Sequence, residues 1–178
     1  YADVHLWVPQ DSDFELAEGR VISLSDYPEL AKTRMGEYDL AIYNMGDHYP
    51  NHGQIYRHLH EYPGLVILHD VVLHDFFHYL FFHNKDDRAG YLNLIDTAYG
   101  PAIRNEAELA LDGEGLPLWD ATKVSRFPLL EPAIAVSSGV IVHSEWAKTI
   151  VQERYAGPVE KLFLAYDVPG PDEPKASG

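Results

Sequence analysis

The chain has 178 residues, 46% of them hydrophobic, which is enough apolar material for the core of one domain. Its 13 Lys and Arg against 28 Asp and Glu leave a net charge of −15, a field that repels phosphate backbones and argues against nucleic acid as a partner. With no cysteine, disulfides and thiolate metal sites are excluded, and a reducing cytoplasm is the expected setting.

Short apolar runs alternate with segments of helical period along the chain, the habit of βα units stacked on a mainly parallel sheet. Strands are predicted at residues 4–8, 20–24, 39–43, 64–68 and 139–142, with a weaker one at 161–165. Several runs are almost continuously apolar, which predicts strands covered by helices on both faces. Between them, Ser25-Asp26-Tyr27-Pro28-Glu29 reads as a cap leading into a helix over 30–35, and 54–60 as a second helix. The long stretch 71–136 reads as a helical insertion broken near Asp86-Asp87 and Gly113-Glu114-Gly115. Ser144-Glu145-Trp146 opens a last helix with Trp146, Ile150 and Val151 on one face, stopped by Gly157-Pro158. Residues 1–168 form the expected domain and 169–178, rich in Pro and Gly, have linker composition.

Open α/β sheets gather ligands outside the carboxyl ends of their strands, so the residues that follow each run carry the functional signal. After 39–43 comes a run from Asn44 to Gly53, with Asp47 within it, whose glycines let backbone approach a ligand and whose Asn, Asp and His can bond its hydroxyls; a turn that only caps the next helix is the structural alternative. After 64–68 come His69 and Asp70, an imidazole able to exchange protons near neutrality and a carboxylate able to orient it, unless Asp70 simply caps the following helix. After 139–142 come His143, Ser144 and Glu145, where a capping serine and an acid in the first turn explain two of the three residues structurally.

His74 and His78 lie four apart on the aromatic segment that follows Asp70, which raises a metal reading, but no third ligand stands at a firm spacing. Neither a G-x-S-x-G elbow nor a G-x-x-x-x-G-K-[ST] phosphate loop occurs, which excludes the corresponding esterase and NTPase readings.

Taken in order, the run Tyr38-Asp39-Leu40-Ala41-Ile42-Tyr43-Asn44-Met45-Gly46, His52, the run Pro63-Gly64-Leu65-Val66-Ile67-Leu68-His69-Asp70, and Gly139-Val140-Ile141-Val142-His143-Ser144-Glu145-Trp146-Ala147 resemble one family. It is the amino-terminal, acceptor-side domain of GT-B glycosyltransferases of the retaining, family-4-like group. The resemblance covers most of the chain and implies a Rossmann-like domain that faces a carboxy-terminal domain across a cleft. It implies transfer of a sugar from a nucleotide-sugar donor to a hydroxyl acceptor with no metal and no resident cofactor, the nucleotide-sugar being a co-substrate held mainly by the other domain. Carried over by position, Asn44, Gly46 and His52 would line the acceptor side, His69 and Asp70 would face the transferred sugar as catalytic residues, and His143, Ser144 and Glu145 would border the interdomain cleft.

Family members open with a strand, a glycine turn and a helix ahead of the strand matched here to 4–8, and this first unit is missing from the match. The expectation is an open sheet edge prone to self-association, and a chain inactive without its carboxy-terminal partner domain. The expected location is cytoplasmic, free or peripheral to a membrane. Two other readings fit the same residues: a metallohydrolase using His69, Asp70, His74 and His78, and a Rossmann-like sugar-binding module without turnover.

Overall fold

The computed structural model describes residues 4–8, 20–23 and 35–163. The chain divides into two compact units, Tyr1–Ala41 and Ile42–Gly178, and each is taken by itself.

In the first unit, β1 (His5–Val8) and β2 (Arg20–Ser23) pair in parallel, with His5 opposite Arg20 and Val8 opposite Ser23. Both coincide with apolar runs in the sequence. The Tyr38 ring meets the edges of His5 and Trp7, and its hydroxyl lies 2.7 Å from His5 Nδ1. Met35–Glu37 form one 3₁₀ turn, while the rest of the helix expected over 30–35 lies outside the described residues.

The second unit alternates strands and helices: β3 (Ile42–Met45), α1 (Tyr49–Glu61), β4 (Leu65–Leu68), α2 (His74–His78), α3 (Arg88–Tyr99), α4 (Pro101–Leu111), α5 (Glu131–Ile134), β5 (Gly139–Val142), α6 (Glu145–Gln152) and β6 (Val159–Lys161). A π-helical turn, Tyr79–Asn84, continues α2. The four strands form one parallel sheet in the order β3-β4-β5-β6, so every neighbour is reached by a helical crossover. This is an α/β architecture with flanking helices.

Register and glycine fit one another at the sheet centre. Leu65 pairs with Gly139, and a Cβ on Gly139 would come within 2.8 Å of the end of the Leu65 side chain and 3.3 Å of the Pro158 ring, so a larger residue there would have to shift the Leu65 side chain. One face of the sheet is the core face: Tyr43, Met45, Val66, Leu68, Val140, Val142 and Val159 are buried, as are Leu59, Phe76, Phe77, Ile134 and Val151 from the helices. Burial of a large aliphatic or aromatic side chain contributes about 1.5–3 kcal/mol each, which makes this face the main stabilising element. On the alternate positions Ile42 is 54% exposed, and Leu65, Ile67 and Ile141 are partly exposed. The second face is thus less completely covered than the first, and burial alternates with a two-residue period along the apolar runs.

Three element boundaries differ from the sequence reading. The third strand runs over Ile42–Met45 rather than 39–43, because pairing of Ile42 with Leu65 through Met45 with Leu68 fixes it, and Leu40 is left half exposed. Helix α1 begins at Tyr49, with Pro50 in its first turn, rather than at 54. The sixth strand is Val159–Lys161 rather than 161–165, whose last two positions lie outside the described residues.

The insertion is helical up to Leu111 and breaks near both predicted points, but residues 112–130 are turns and irregular backbone. Asp87 caps α3 by accepting from Gly90 N–H at 2.7 Å, and Arg88 pairs with Asp112 at 2.7 Å across the α3–α4 hairpin. Among the described residues no helix is long and apolar enough to cross a membrane. The tail 169–178 lies outside the described residues.

Candidate functional site

Because β3, β4 and β5 are parallel, the residues that leave their carboxyl ends emerge along one edge of the sheet. There a cavity of about 310 Å³ is lined by Asp47, His69, Asp70, His143, Ser144 and Trp146, with Leu68, Val71, Val72 and Ala147 as its apolar wall. Four predicted site residues, His69, Asp70, His143 and Ser144, therefore line one cavity. Its size is at the lower end of those that hold small ligands.

Asn44 lies in β3, not in a turn after it, opposite Ile67 of β4. Its side-chain oxygen accepts from His69 Nε2 at 3.3 Å, and its carbonyl accepts from His52 Nδ1 at 3.1 Å. His52 reaches it from the first turn of α1. Gly46 fills the space between: a Cβ there would stand 2.9 Å from His52 Nε2 and 3.0 Å from Asp70 Oδ2. The acceptor-side trio Asn44, Gly46 and His52 thus does not line the cavity itself but packs behind and beside His69 and Asp70.

The capping role weighed for Asp70 is not the observed one. Helix α2 starts only at His74, after Leu73, and the Asp70 carboxylate instead accepts the Asp47 N–H at 3.2 Å. This bond ties the loop after β4 to the loop after β3. Ser144 is a true cap, its hydroxyl oxygen accepting from Ala147 N–H at 3.1 Å, and its own O–H stays available to a ligand. Glu145 turns away to Lys161 at 2.5 Å and does not line the cavity.

The protonation states follow from these partners. A carbonyl only accepts, so His143 donates from Nδ1 to Leu162 O at 2.9 Å, while its Nε2 is shut off from solvent and has no hydrogen-bond partner in the protein. His69 donates from Nε2 to Asn44, which leaves Nδ1 as an acceptor. Burial lowers the His69 pKa, the nearby His143 and His52 lower it further, and Asp70 opposes the shift. The imidazole is therefore neutral at neutral pH and suited to accept a hydroxyl proton. Asp47 moves the other way, raised first by burial and then by the negative charges of Asp70 and Asp75.

Sequence reasoning reaches Asp47 only as the acid within the run from Asn44 to Gly53, and it misses Trp146. By helical period Trp146 shares one face with Ile150 and Val151, yet it is 60% exposed at the cavity while Ala147 and Val151 are buried. Its position in the first turn after a strand-end cap is the signal that could have found it, since that turn faces the carboxyl edge.

His74, expected on an aromatic helix, is 1% exposed, and neither ring nitrogen meets hydrogen-bond geometry. Burial lowers its pKa to about 4, against smaller opposing influences from the Phe127 backbone and Asp75. His78 packs against Phe82, His83 and Trp119. Among the described residues no three His, Cys, Asp or Glu side chains converge on a metal-sized point, so His69, Asp70, His74 and His78 do not form a ligand set.

A second cavity, about 400 Å³, lies towards the amino-terminal ends of β5 and β6. Much of its charge is paired internally: Arg154 pairs with Glu131 and Glu153, Tyr99 donates to Glu131, and Arg126 lies over the Phe127 ring. The strand-end cavity, with its open donors and acceptors, is the better candidate. No protein-family model matches the chain, and neither does any curated protein or solved structure.

Proposed function

We propose that this chain is the acceptor-side, Rossmann-like domain of a GT-B, retaining family-4-like glycosyltransferase, which transfers a sugar from a nucleotide-sugar donor to a hydroxyl acceptor. The observation that carries the reading is the convergence of His69, Asp70 and His143 on one cavity at the carboxyl edge of a parallel sheet, with Asn44 fixing the His69 tautomer. That arrangement supplies what sugar transfer needs from this side. A neutral His69 accepts or orients the acceptor hydroxyl, and Asp70 offers a fixed negative charge near an oxocarbenium-like centre. The nucleotide-sugar is gripped mainly by a carboxy-terminal domain, so the chain by itself binds acceptor and does not turn over. No metal enters the reaction in this reading.

Calorimetric titration of the chain tests it. Hydroxyl-bearing carbohydrates should bind, binding should weaken in His69→Ala and Asp70→Asn, and free nucleotide should bind poorly. Failure of every carbohydrate to bind, together with stoichiometric zinc or manganese and metal-dependent hydrolysis, would overturn it in favour of the metallohydrolase.

A further inference from the structure

The charges around the strand-end cavity are of one sign. Asp47 and Asp70 line it, Asp75 adds to the negative field felt by Asp47, and among the described residues no Lys or Arg lines it. The lysines of the neighbouring helix and strand are engaged elsewhere, Lys148 with Glu160 at 3.1 Å and Lys161 with Glu145 at 2.5 Å. A phosphorylated or carboxylated ligand would therefore enter against two carboxylates with no cation to receive it. The second feature is independent of the acids: Trp146, held in the first turn of α6, presents a 60% exposed indole to the same cavity. An indole face attracts the C–H face of a sugar ring and, more strongly, a cation. The third is the supply of hydroxyl partners, with the lone pair of His69 Nδ1 and the Ser144 O–H at one rim.

From these together we infer that the cavity takes a polyhydroxylated ligand bearing a protonated amine, an amino sugar or amino polyol, whose ammonium group lies within reach of the Asp47 and Asp70 carboxylates and the Trp146 ring. The inference rests on the transferase reading and narrows its acceptor. The ammonium group donates to the carboxylates, the ring hydroxyls reach His69 and Ser144, and one of those hydroxyls is the nucleophile.

Titration of the full chain, followed by tryptophan fluorescence and calorimetry just below neutral pH, uses four probes: glucosamine, N-acetylglucosamine, glucose and glucose 6-phosphate. Glucosamine should bind about tenfold more tightly than the two neutral sugars, and glucose 6-phosphate most weakly. Asp70→Asn should weaken glucosamine by clearly more than it weakens glucose, so that most of the preference for the amine is lost. Trp146→Ala should weaken all the sugars and abolish the fluorescence response. Both positions are exposed, and circular dichroism confirms folding of each variant. Equal affinity for glucose and glucosamine, or tighter binding of the phosphate, overturns the amine inference and leaves the transferase reading standing. If none of the four binds, the amine inference falls, and the transferase reading is decided by the wider carbohydrate titration and the metal assay above.

Discussion

The imidazoles of His69 and His143 lie 5.1 Å apart between ring centres and 30° from parallel, one at the end of β4 and the other at the end of its neighbour β5. Burial first, and then the neighbouring His143 and His52 rings, lower the His69 pKa. The site is thus built to keep an uncharged acceptor atom at the strand edge.

Within the complete transferase, His69→Ala is expected to lower kcat about 10²-fold while KM for the acceptor changes less. The acid limb of the parent's kcat/KM profile should fall below the ordinary histidine pKa, since the shift at His69 is downward. Steady-state kinetics across pH provide the check, and a variant within about twofold of the parent would remove His69 from the chemistry.

Gly46→Ala separates site geometry from stability. The added methyl would meet the ends of the His52 and Asp70 side chains, both able to swing aside, rather than backbone. Unfolding free energy should drop by less than about 1 kcal/mol, while carbohydrate affinity falls severalfold as Asp70 and His52 are displaced. Denaturant melts beside ligand titration would show this; unchanged affinity would mean that neither side chain contributes to binding.

His74 makes stability depend on pH in a predictable sense. Its folded pKa of about 4 lies below the ordinary 6.5, so above pH 6.5 both states are neutral and the full stability is present. Between 6.5 and about 4 the unfolded chain binds a proton that the folded chain refuses, and up to about 3 kcal/mol is lost as pH falls. His58, lowered to about 4 chiefly by burial, acts in the same direction. Urea melts from pH 7 to 4 should show a shallower decline in His74→Phe; identical slopes would refute the assignment.

Ser144→Ala should cost about 1 kcal/mol through loss of the α6 cap, a fall in Tm of roughly 2–4 °C for a chain of this size. Calorimetric scans decide it, and a change near zero would mean that water replaces the hydroxyl as partner of the Ala147 amide.

Much of the site was legible because strand ends are marked by composition: His69, Asp70, His143 and Ser144 follow apolar runs, and they share a cavity. What sequence could not show was the partner across the sheet. Asn44 reads as a turn residue by type, but its place is set by pairing of β3 with β4, a contact between residues distant along the chain. Asp70 looks like a helix cap until the loop carrying Asp47 is brought beside it. Trp146 obeys a helical period that predicts burial, and only the end of α6 at the sheet edge leaves its ring open. The irregular backbone of 112–130 carries no periodic signal of either kind.

The order β3-β4-β5-β6 also sets a schedule for assembly. Two of the three strand pairings, β3 with β4 and β5 with β6, close through a single helix each, α1 and α6, and form from nearby contacts. The remaining pairing, β4 with β5, must wait for the whole insertion from His69 to Ser138 to be gathered in. Loop entropy rises only slowly with length, but non-local pairing is where folding is slow and where exposed strand edges find other chains. The two preformed halves meet along Leu65–Ile67 and Gly139–Ile141, so this central seam, rather than either outer strand, is the place where kinetic competition between folding and aggregation is decided.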